Sequence, residues 1–111
     1  MMKKVYVYIF LLSCCLGHKS FANIYTVTNN NVNGTGSLNQ AILDANSHTG
    51  KDSVYFNIPF GTVAARTISI NSLFQLPVIT SPIVIDGTSQ PIGNPFGVST
   101  AKIRLTAVND R

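Results

Sequence analysis

The carboxylates that follow residue 22 are four aspartates, Asp44, Asp52, Asp86 and Asp110, and the chain contains no Glu. Hydrolysis or elimination on a polysaccharide needs paired carboxylates at a defined separation, or a carboxylate-bound calcium beside a basic residue that takes a proton. Arg66 and Arg104 are basic residues that could face a carboxylate, but no spacing ties either to one. Each Asp has a plainer role. Asp44 falls on the polar side of a helix, Asp52 in a loop and Asp110 near the end, and Asp86 precedes Gly87 in a turn signal where Asp serves the backbone. His48, the single histidine after residue 22, stands in the polar loop 47–52 and reads as solvated. The Asn-rich loop 29–36 has no acidic residue to hold a hard cation. No phosphate-cradling glycine loop, Ser-His-Asp set or metal cluster occurs. The sequence therefore assigns no catalytic, cofactor-binding or metal-ligating residue.

One helix organises the elements that position these groups. Ser37 is a good N-cap, and Gln40 three residues later completes a capping box. Leu38, Ala41, Ile42 and Ala45 make one apolar stripe, and Gly50 is a plausible terminator beyond it. A helix of about ten residues is marginal alone, so it must lie on the strands around it.

Residues 1–22 read as a secretory signal peptide: basic Met1-Met2-Lys3-Lys4, an apolar run from Val5 to Leu12, and a polar segment ending in small-x-small at Ala22. The uninterrupted apolar run is shorter than the ~20 residues a bilayer-spanning helix needs. Leu11-Leu12-Ser13-Cys14 offers a rival cleavage as a lipobox that would lipidate Cys14. Because strand-like sequence starts almost at once after Ala22, soluble export is the preferred expectation and a lipoprotein the alternative.

Removing the signal takes away both cysteines and lowers the net charge from +4 to +1, with five Lys/Arg left against four Asp. The basicity of the whole chain is then no argument for a nucleic-acid partner. Without cysteines, stability rests on core packing and backbone ladders.

After the signal, Ile24–Thr28 alternates as a strand, Val54–Ile58 puts Val54, Phe56 and Ile58 on one face, and Thr67–Ile70, Ile83–Ile85 and Lys102–Thr106 follow. The later strand centres lie about 13, 15 and 20 residues apart, the spacing of a solenoid of stacked parallel strands. A Greek-key sandwich also suits such short strands.

The ordered series Tyr25-Thr26-Val27-Thr28-Asn29, Gly34–Asn46, Asp52–Pro59, Leu76–Thr80 and Ile83–Pro91 resembles the N-terminal region of large bacterial secreted proteins with a right-handed parallel β-helix, the pectin-lyase-like fold. In such proteins the helix segment often reads Cys-Ser-Leu-Arg-Glu-Ala-Ile; here Gly36 stands for the Cys and Asn39-Gln40 for Arg-Glu.

The resemblance implies an all-β fold over residues 23–111: the start of a right-handed parallel β-helix whose short N-terminal helix caps the open end. Phe56, Ile58, Ile68, Ile70, Val84 and Leu105 would line its first rungs. It also implies a bacterial chain continuing for further rungs, with this one truncated. The function expected is a structural, adhesion-type segment of a secreted or cell-surface protein, with surface polysaccharide or host and matrix glycans as partners. The alternative is the N-terminal part of a polysaccharide lyase or glycoside hydrolase whose active site lies on later rungs. A small self-sufficient binding module is a third expectation, with Tyr55 the best exposed aromatic for a sugar.

Overall fold

The computed structural model describes residues 21–97 and 101–107. Most of the signal segment, including Cys14, lies outside this range, as does Asp110. Among the described residues the order is β1 (Ile24–Val27), α1 (Leu38–Asn46), β2 (Asp52–Phe56), β3 (Thr67–Ile70), β4 (Ile83–Ile85), a single 3-10 turn (Gly87–Ser89) and β5 (Arg104–Ala107).

All strand pairing is parallel. β1, β2 and β4 form a three-stranded sheet with β2 in the middle, and β3 and β5 form a separate two-stranded sheet. A parallel neighbour requires a crossover, because a tight turn can only reverse the chain. The crossover from β1 to β2 is α1, so this segment is a βαβ unit.

The helix forms where its capping residue and apolar stripe place it. Ser37 accepts from the Gln40 N–H at 3.1 Å, and Leu38, Ala41, Ile42 and Ala45 are buried. The second half of the capping box is absent: the Gln40 side chain donates instead to Asp44 Oδ1 at 2.8 Å, one turn on. The helix ends at Asn46 with Ser47 as its C-cap, four residues before Gly50. Gly36 precedes the cap at φ +81°, where a Cβ would collide with the Thr28 hydroxyl and the Asn29 amide. Only glycine fits there.

One core joins helix and sheets. Leu38, Ala41 and Ile42 pack with Val27, Val54, Phe56, Ile58 and Ile68. Fully burying an aliphatic or aromatic side chain of this size contributes about 1.5–3 kcal/mol.

The expected all-β parallel β-helix is not what forms. The molecule is a small mixed α/β structure with two separate parallel sheets, and no closed coil or solenoid occurs among the described residues. Two features oppose closure. The helix serves as a crossover between adjacent strands and packs on β1 and β2. The segments between the later strands carry Pro59, Pro77, Pro82, Pro91 and Pro95, and proline donates no ladder hydrogen bond.

The expected rung lining divides accordingly. Phe56, Ile58 and Ile68 are buried and Ile70 is half-buried, whereas Val84 is 41% and Leu105 50% exposed. Val84 pairs with Ser53, on the face of the sheet opposite Val54; the β4 residue packed against the core is the half-buried Ile83, while Ile85 is 40% exposed. Leu105 is in register with buried Ile68, but among the described residues β3 is its only partner strand, and Leu105 stays 50% exposed. Residues 78–80 form no strand; they are held along the helix by Asn46, which donates to Val78 O at 2.8 Å and accepts from Thr80 N at 2.9 Å.

Candidate functional site

Two of the chemically capable residues meet. The loop after α1 brings His48 to the first residue of β2, and His48 Nδ1 lies 3.0 and 3.1 Å from the two carboxylate oxygens of Asp52. Asp52 is completely buried, while the His48 side chain is 29% exposed. A carboxylate only accepts, so Nδ1 carries the hydrogen and Nε2 of the neutral ring is left as an acceptor. That is the arrangement of an oriented base, but no hydroxyl is hydrogen-bonded to Nε2 among the described residues. Asp52 Oδ1 has a second donor, the backbone N–H of Asn23 at 2.8 Å.

Asp52 thus ties together the residue before β1, the start of β2 and the loop after the helix. Its own N–H donates to Pro82 O at 3.1 Å, and the Ser53 N–H donates to Asn23 O at 2.9 Å. The sequence placed Asp52 and His48 in one loop; it did not place them in contact. The i,i+4 spacing was the available signal, and it carries weight only when the strand begins at residue 52.

The other aspartates stay apart from this pair. Asp44 accepts from Gln40 on the helix surface, beside a shallow cleft of about 180 Å³ lined by Ile24, Tyr25, Gly36 and Ser37 among others. Asp86 caps the 3-10 turn, accepting from the Thr88 hydroxyl at 2.5 Å and the Thr88 N–H at 2.9 Å. The Thr88 side chain, then its backbone N–H, hold the Asp86 carboxyl below the usual carboxylate range. Asp110 lies outside the described residues.

The two arginines take different partners. Arg104 stacks over the Phe96 ring at 5.1 Å. Arg66 is 3% exposed, and its guanidinium donates to three carbonyls: Nε to Phe60 at 2.8 Å, Nη2 to Ile92 at 3.0 Å and Nη1 to Gly93 at 3.4 Å. Ile92 holds its carbonyl there at φ 39°, a left-handed conformation rare for a β-branched residue. Arg66 floors a cleft of about 280 Å³ walled by Asn57, Pro59, Gln90 and Pro91. Tyr55 is exposed on the face opposite Phe56.

Gln90 is a structural residue that the sequence did not mark. It is fully buried at the end of the turn Asp86–Gln90 and holds both backbone groups of Ile58, accepting from its N–H at 2.8 Å and donating to its C=O at 3.1 Å. Ser89 Oγ accepts from the Phe56 N–H at 2.9 Å and donates to Asp86 O at 2.6 Å. Two side chains thereby continue the hydrogen bonding of β2 past its pairing with β4.

Among the described residues no three His, Cys, Asp or Glu side chains are grouped to hold a metal ion, and no helix is long and apolar enough to cross a membrane. The chain matches no protein-family model, and no characterised protein or solved structure is significantly similar to it.

Proposed function

We propose that this chain is an exported structural module of adhesion type, released or displayed at the cell surface, with polysaccharide or glycan partners. The observation that carries this is the use made of buried polar groups. Among the described residues Ser37, Asp52, Arg66 and Gln90 are the buried polar side chains; Asp52, Arg66 and Gln90 bond backbone groups of a distant segment, and Ser37 bonds backbone groups of its own turn. Buried polar groups must be satisfied or they destabilise, and here they join segments that short strands alone hold weakly. The pattern at residues 1–22 is that of an export signal, and the residues after it carry little charge.

The test is direct. The purified mature protein is incubated with plant, bacterial and host polysaccharides, and retention is measured separately from release of reducing or unsaturated ends. Retention without product agrees with the proposal. Product formation that is abolished by His48→Ala would instead make the chain part of a polysaccharide-degrading enzyme.

A further inference from the structure

The residue that export processing would expose already touches a buried carboxylate. Asn23 follows Ala22, the end of the small-x-small segment, and its backbone nitrogen lies 2.8 Å from Oδ1 of the completely buried Asp52. We infer that cleavage after Ala22 turns this peptide N–H into an α-ammonium that forms a part-buried ion pair with Asp52, so that processing itself completes the fold. The inference rests on the export reading above.

The chemistry balances simply. Water hydrolyses the Ala22–Asn23 peptide bond; Ala22 leaves with a carboxylate, and the Asn23 nitrogen leaves as an amine that takes up a proton. A donor that was neutral becomes charged, without needing to move. The amide bond to the Asp52 carboxylate is already charge-assisted; an ammonium donor adds the direct attraction between opposite charges, which is larger away from bulk water. Among the described residues the donors to the Asp52 carboxylate in the unprocessed chain are an amide N–H and His48 Nδ1, a weak set for a buried anion.

The surroundings suit the new terminus. Phe21 and Ala22 are exposed, so their loss removes nothing from the core. Asn23 is held in place on its other side: its carbonyl accepts from Ser53 N at 2.9 Å, and its side-chain amide donates to the Tyr25 hydroxyl at 3.3 Å. The titratable groups near the nitrogen are Asp52 itself, His48, whose Nδ1 contacts the same Asp52 Oδ1, and the Tyr25 hydroxyl, bonded to the Asn23 side chain; Lys51, next to Asp52, is exposed.

The experiment compares protein beginning at Asn23, released from a fusion so that no extra residue remains, with protein carrying one additional Ala before it. The extra residue moves the charge about 3.8 Å along the chain and returns an amide N–H to the site. Both are also made with Asp52→Asn. We expect the Ala extension to lower the melting temperature by about 5 °C or more at pH 6.5 in the parent, and to have little effect in the Asp52→Asn background.

A second readout follows the α-amino group by 13C-methyl labelling. Its titration should lie above the ordinary range of about 7.7–8.0 in the parent and return to it in Asp52→Asn. A raised folded value means the stabilisation is present below the unfolded value and is lost as pH rises through the folded one. Equal melting temperatures with and without the Ala in the parent, or an α-amino group that titrates ordinarily, would overturn the inference even if the cell cleaves after Ala22. A natural N-terminus elsewhere would overturn the export premise instead, whatever the melting temperatures.

Discussion

The side-chain amide of Gln90 binds both backbone groups of Ile58, its Oε1 accepting from the N–H at 2.8 Å and its Nε2 donating to the C=O at 3.1 Å. One buried side chain here does the work of a neighbouring strand. Replacing it with an apolar side chain of similar volume leaves a buried donor and a buried acceptor unsatisfied. Gln90→Leu should therefore lower the unfolding free energy by about 1–3 kcal/mol, measured by urea denaturation. A loss of less than about 0.5 kcal/mol, the range of an ordinary surface substitution, would contradict this role.

The helix contributes through its packing more than its propensity. Ile42 is almost fully buried against the strands. Ile42→Ala should destabilise by about 2–5 kcal/mol, and Ile42→Asp should give an insoluble or protease-sensitive product. An Ile42→Asp protein as soluble and cooperative as the parent would remove the helix from the core.

Gly36 is fixed by backbone geometry and by its neighbours. Gly36→Cys would place a side chain at a position whose φ is +81° and whose Cβ would meet Thr28 and Asn29. The expected loss is on the order of 1–3 kcal/mol from backbone strain alone, read as a fall in the denaturation midpoint. A Gly36→Cys protein of parental stability would mean that the loop 29–36 shifts freely.

Asp86 sets an acid-side signature. Its carboxyl titrates below the ordinary value because the Thr88 hydroxyl and N–H bond to its ionised form. A depressed folded value gives stabilisation that is present above the unfolded value of about 3.9 and is lost as pH falls through the folded value. Asp86→Ala should be less stable than the parent at neutral pH, and the difference should narrow below about pH 4. Stability curves of the two proteins that stay parallel from pH 7 to acid would show that Asp86 ionisation is not linked to folding.

These elements also mark what can be read without a structure. The helix was legible because Ser37 and the stripe Leu38, Ala41, Ile42, Ala45 are local signals, and the strand positions because alternation is local too. The partition of five strands into two sheets depends on pairing across tens of residues, and similar spacing suits a closed coil equally well. The misplacement of Val84 has the same origin: Ile83-Val84-Ile85 is apolar throughout, so only its register against Asp52–Val54 shows which residues face inward. Gln90 and Arg66 were illegible for a different reason. Both are residue types usually found outside, and their burial follows from carbonyls and N–H groups that a distant turn leaves to be satisfied. The Asp52–His48–Asn23 contact joins three segments, of which only the His–Asp half had a sequence signal.

The most direct test of the account is the intact mass and N-terminal residue of the protein recovered from the cells that make it. Export with cleavage after Ala22 predicts a chain that begins at Asn23, found outside the cytoplasm with no added mass on its N-terminus. A chain beginning at an acylated Cys14 would contradict the cleavage and leave Asp52 facing an ordinary peptide N–H. A cytoplasmic chain that retains Met1 and its basic segment would contradict export itself.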